Sequence, residues 1–140
     1  MKYTIKLLYI WIVAAATGCN NASDEIKIPY QAVAKSDTAS LKIILKKKEF
    51  YGQLEVNYSG LYKDSGDVSG IVKGDTLKGS FYYQRYGKGP KRRIPIALLK
   101  KDHQLVMGIG EMEVYMNITF FKKGVPIDYQ HSKFVFQRLH

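Results

Sequence analysis

Few residues in this 140-residue chain have the type and spacing for covalent or acid–base work, and Cys19 is the first of them. It is the only cysteine, so disulfides within the chain, thiolate metal clusters and C-x-x-C redox pairs are excluded. A nucleophilic thiol wants a histidine beside it, yet Cys19 stands at the foot of an apolar run, where modification is the better use of its sulfur. His103, His131 and His140 show no metal-ligand spacing and are expected at a turn, in a loop and at the terminus. Glu111 and Glu113 project from one side of an expected strand, roughly 7 Å apart, a separation that suits acid and base work on a glycosidic bond. No second element frames a sugar there, so they read as a solvated or salt-bridged face. With neither a G-x-S-x-G elbow nor a complete P-loop, no catalytic residue and no cofactor or metal is assigned, and the chain is read as a non-enzyme. The remaining constellation is electrostatic. In Tyr86 to Arg93 two glycines and a proline force a loop that carries Lys88, Lys91, Arg92 and Arg93. Guanidinium forks match carboxylate and phosphate geometry, so these four cations with Tyr86 form a candidate anion-binding or ligand-binding rim, to which Tyr82 and Tyr83 add flat stacking surfaces.

The element that places Cys19 is the leader. Lys2 and Lys6 form a positive head, Leu7 to Ala16 is an unbroken apolar run of ten residues, and small residues lead into Cys19. That run is about half the roughly 20 residues of a membrane-spanning helix and has the length of a signal h-region. Ala16-Thr17-Gly18-Cys19 resembles the lipobox of bacterial lipoproteins, although Ala16 stands where that family more often has leucine. The resemblance implies a cleaved signal helix over residues 1–18 and acylation of Cys19, which anchors the chain to a membrane. Plain secretion is the alternative. Asn20, in place of aspartate, follows the cysteine, and Asp24 and Glu25 come shortly after; in such lipoproteins these features imply the outer membrane, periplasmic or surface-facing.

Residues 19–40 are polar, broken by Pro29 and without a sustained period, and read as a tether with a span on the order of 25 Å. One domain is expected over residues 41–140. Two of the 22 basic residues precede Cys19, leaving 20 against 12 acidic ones and a net side-chain charge of +8. The compartment makes nucleic acid an unsuitable partner, so an anionic envelope component or a small amphipathic ligand is expected, with the protein a monomer.

From Leu41 onward the apolar period is two. Leu41, Ile43 and Leu45 share a face, as do Phe50, Gly52, Leu54, Val56 and Tyr58. Lys63 to Gly66 has turn chemistry, Val68 to Lys73 reads as a short strand, and Gly74-Asp75 turns into Thr76 to Tyr86. Ile94, Ile96 and Leu98 align next, then Leu105, Met107 and Ile109. The cleanest alternation runs Met112, Val114, Met116, Ile118, Phe120, and Phe134 and Phe136 oppose Val135 in a last strand. About eight strands with no amphipathic helix predict an all-β antiparallel meander closed into a small lipocalin-like barrel, with an open β-sandwich as the alternative. Pro95 inside a strand predicts an edge or imperfect closure there.

Gly52 to Tyr58, Lys63 to Gly66, Gly70 to Gly79 with its G-D-T-L turn, and Leu105 to Glu111 with a G-x-G-E-like close resemble a group of small uncharacterised envelope lipoproteins. The resemblance covers Gly52 to Glu111 and implies fold and location. The functional expectation is therefore a lipid-anchored protein that binds an amphipathic or anionic ligand in or at the mouth of a barrel. The alternative is an assembly partner that docks an acidic protein or envelope polymer through the basic loop.

Overall fold

A computed structural model of the chain describes residues 25–140; the expected leader and Cys19 lie outside the described residues. Ten strands follow in order: β1 (Ile28–Ala34), β2 (Asp37–Leu45), β3 (Glu49–Tyr58), β4 (Tyr62–Lys73), β5 (Thr76–Arg85), β6 (Arg92–Lys101), β7 (Gln104–Met107), β8 (Met112–Tyr115), β9 (Ile118–Phe121) and β10 (Val135–Arg138). Eight of them form a closed antiparallel barrel in the order β1-β10-β7-β6-β5-β4-β3-β2, while β8 and β9 form a separate hairpin. Strands β1 to β7 are a simple meander, and β10 returns after the hairpin to close the circle between β7 and β1. The chain is thus a barrel, and the open sandwich is set aside.

Alternation explains the core. Leu41 and Ile43 of β2, Phe50, Leu54 and Val56 of β3, Leu77 of β5, Ile96 and Leu98 of β6, and Phe134 and Phe136 around the start of β10 are all buried together. Lys42 and Glu55 on the opposite faces stay in solvent or half in it. Facing pairs such as Leu41 with Leu54 and Leu77 with Leu98 bring inward side chains together across adjacent strands.

Three expectations are corrected. Residues 28–40, expected in the tether, belong to the barrel instead: β1 begins at Ile28 and buries Tyr30 and Ala32 against the core. Pro29 suggested a break, but it is the second residue of β1, at the fringe of the ladder, where the missing N–H costs little. Lys63 to Gly66 is the first part of β4 and no turn. The chain reverses earlier, at Ser59 and Gly60, whose φ values are 54° and 73°, and the Asn57 side chain accepts the Gly60 N–H at 2.9 Å. Met112 to Phe120 is two strands. Met116 and Asn117 have φ of 50° and 63°, the signature of a two-residue hairpin turn, and a turn of that length does not interrupt an apolar period of two.

The register separates two ends. The connections after β2, β4 and β6 lie with Ile28 and Arg138 at the proximal end; those after β1, β3 and β5, with the 108–134 segment, lie at the distal end. Pro95 pairs with Ser80 of β5, but β7 joins β6 only from Leu98 onward, so the distal half of β6 has a barrel neighbour on one side. Hairpin strand β9 packs beside β6 instead. The wall is therefore incomplete where the proline predicts it.

Candidate functional site

A cavity of about 310 Å³ opens at this distal gap. Its apolar lining comes from the inward faces of β3, β5 and β6, with Leu54, Val56, Phe81, Ile94 and Ile96 among them, and from Phe134. Met112 and Phe121 of the hairpin complete one side. Such a lining with few polar groups is the pattern of small-molecule sites.

The polar groups are an ion pair. Asp64 and Arg85 face each other across β4 and β5, and the Arg85 Nε–H donates to Asp64 Oδ1 at 3.1 Å. Asp64 is 4% exposed, the only charged residue buried among the described residues, whereas the Arg85 side chain is 42% exposed at the rim. Arg85 lies over the Tyr62 ring at 4.8 Å; Tyr62 in turn stacks on Tyr58 at 4.4 Å and meets Tyr86 at 5.7 Å. The bond from Asp64 holds the Arg85 pKa above its ordinary value.

Burial, and secondarily the Asp64 charge, pushes the Tyr58 phenol up to about 12 from 10.0. The folded state keeps this proton more tightly than the unfolded chain, so the associated stability is complete below pH 10 and is lost as the pH rises from 10 towards 12. Tyr58→Phe is therefore expected to flatten the alkaline loss of stability over that window in denaturant titrations; an unchanged slope would contradict the assignment.

Behind the mouth, the Lys133 ammonium meets Asp37 at 2.6 Å, and the Ser59 hydroxyl donates to Asp37 at 2.9 Å. These contacts tie the turns after β1 and β3 to the residue two places before β10, and they hold the Asp37 carboxyl below the usual carboxylate range, Lys133 contributing most.

The candidate rim residues are divided by the fold. Tyr86 begins the connection after β5 and joins the aromatic group at the mouth. Lys88 sits in that connection, Lys91 ends it, and Arg92 and Arg93 begin β6; all are exposed. Lys91 and Arg93 lie over the outward ring of Tyr82, at 5.3 and 5.4 Å, on the outer wall of the barrel. Tyr83 points inward and stacks on Phe81 at 4.7 Å, so the three tyrosines read together as a stacking surface occupy different places. Among the described residues none of the four cations has an acidic partner.

Glu111 is bound by Lys122 at 2.7 Å, and Glu113 is exposed on β8. His131 pairs with Asp128 at 2.7 Å, and His103 lies in the turn after β6. Among the described residues no three His, Cys, Asp or Glu side chains converge as metal ligands.

Asp64 and Arg85 escaped the sequence reading. Residue parity carried the signal: Asp64 is in phase with the inward Val68, and Arg85 with the inward Phe81 and Tyr83. Assigning Lys63 to Gly66 to a turn broke that phase.

Comparison of the chain with protein-family models, with curated proteins and with solved structures returns no match.

Proposed function

We propose that this protein is a non-catalytic, lipid-anchored protein of the bacterial outer membrane that takes a small amphipathic or anionic ligand into the distal mouth of its barrel. The cavity of about 310 Å³ carries the reading: it is apolar in depth, edged by one ion pair and within the usual size range of ligand pockets. The anchor rests on the leader and the lipobox-like Ala16 to Cys19. Cys19→Ser is expected to leave an uncleaved precursor without acyl chains, and an acylated mutant in mass spectra would remove the anchor.

The ligand reading is tested by filling the cavity. Ile94→Trp places an indole in the space without unpairing any polar group, and it is expected to abolish uptake of an apolar fluorescent probe while leaving the melting temperature within a few degrees. Full uptake by this variant would sink the cavity reading.

A second reading, docking of an acidic protein or envelope polymer, is favoured by Lys88, Lys91, Arg92 and Arg93, which are exposed and have no acidic partner among the described residues. Reversing those four charges separates the two readings: it abolishes capture of an acidic polymer if the loop docks it, and leaves probe uptake intact.

A further inference from the structure

Resting on the cavity reading above, we infer that the ligand is a single-chain amphiphile with a monoanionic head, and that the Arg85 guanidinium receives that head while the hydrocarbon lies in the apolar depth of the mouth. A guanidinium presents five N–H donors in a rigid fork, and carboxylate partners commonly take two of them. Here Asp64 takes only the Nε–H, at 3.1 Å, and among the described residues the two terminal nitrogens donate to no acceptor. Arg85 is nevertheless fixed, by Asp64 on one edge and by the Tyr62 ring against its face at 4.8 Å. A planar donor edge with two unused nitrogens, oriented on both other sides and 42% exposed at the rim of an apolar cavity, is a preorganised seat for a carboxylate-like group.

The surrounding charge fixes the sign. At the distal end Asp37 is held by Lys133, Glu55 by Lys63 and Glu111 by Lys122, and among the described residues the unpartnered Glu113 is outnumbered by Lys88, Lys91, Arg92 and Arg93, which have no acidic partner. An approaching cation meets net repulsion, and an approaching anion is steered inward. Asp64, beside the seat, limits the head to one negative charge, because a dianion faces a carboxylate already at close range. A cavity of about 310 Å³ is near the lower end of ligand pockets, which suits one short chain.

Titration calorimetry of the full chain with octanoate, octanol and octylammonium separates head from tail. Octanoate is expected to bind at least about tenfold more tightly than octanol, the effect of one charge-assisted hydrogen bond, and octylammonium more weakly still. Arg85→Gln removes the donor fork. Because it leaves Asp64 unpaired, the double variant Asp64→Asn with Arg85→Gln is measured beside it, removing both charges together. In both variants the ratio of octanoate affinity to octanol affinity is expected to fall to about one. Octanol or octylammonium matching octanoate on the unaltered chain overturns the inference and leaves the cavity reading standing, as does a preference that survives the double variant. Failure of all three probes to bind overturns both.

Discussion

Gly79→Ala lowers the melting temperature by on the order of 10 °C, and Gly79→Val by more, in thermal unfolding followed by circular dichroism. Gly79 of β5 faces Gly70 of β4 directly. A Cβ at Gly79 would lie 2.7 Å from the Gly70 Cα and far inside contact of the Ser69 carbonyl oxygen. Both obstacles are backbone, so no side chain can swing away. The same crowding recurs at Gly52 of β3 and Gly66 of β4, each set against the backbone of a neighbouring strand. A sheet coiled tightly enough to close needs such positions, where strands bend and approach without a side chain between them. Forcing a methyl group in costs about 3 kcal/mol or more, which for a domain of this size corresponds to roughly 10 °C. Gly74 supplies the contrast: it sits in the turn after β4 at φ 61° with nothing near its Cβ position. Asparagine tolerates that conformation, so Gly74→Asn is expected to shift the midpoint by only a few degrees. Equal effects at the two glycines would refute the crowding argument.

Phe136→Ala is the second large loss, about 3–5 kcal/mol or roughly 10–20 °C. Its ring is 0% exposed, in a strand of only four residues. That strand closes the barrel through two residue pairs to β1 and three to β7, so its ladder is short on both sides. Side-chain burial must supply most of what holds the seam. Removing the ring leaves a void and loosens the closing strand in one step. Hydrogen exchange should therefore show β1 and β10 amides losing protection before those of β3 and β4, whose mutual pairing runs over ten residue pairs. Val135→Ala, at an outward position 37% exposed, should cost no more than about 0.5 kcal/mol. Uniform loss of protection in Phe136→Ala would argue against a weak seam.

Much of the barrel was legible because strands with one wet face must alternate. The faces of Leu41 and Ile43, of Phe50 to Tyr58, of Ile94 to Leu98, and of Phe134 with Phe136 all appear as read. What escaped had definite causes. In β1 the inward residues are Tyr30 and Ala32, small or partly polar, and a proline beside them resembles a break. In β4 the residues Asp64, Ser65 and Gly66 have the composition of a turn, yet Gly66 serves close packing of strands and Asp64 serves a partner across the ladder. Strands β8 and β9 have the cleanest alternation and do not enter the barrel at all, since Met112, Val114 and Ile118 are exposed. An apolar period reports that a segment is extended; it does not report what the segment covers.

The candidate site was only half readable for the same reason. Loop chemistry announced the cations after Tyr86, because glycine and proline betray a turn wherever it goes. Asp64 and Arg85 are 21 residues apart and meet only through the β4–β5 register. Long-range pairing of that kind leaves no local pattern.

The entry of β1 at the proximal end carries a consequence for traffic. Glu25 is already clamped to Lys46 at 3.0 Å, so on the proposed acylation of Cys19 only the five residues Asn20 to Asp24 would stand between the anchor and the start of the described fold. On that proposal the vestibule would look outward from the lipid, with the height of the barrel, roughly 25 Å, in between. Cargo drawn from the leaflet beneath would have to leave it completely before docking. The proposed ligand would then be handed over more readily from the aqueous side, by a soluble donor or an opposing surface.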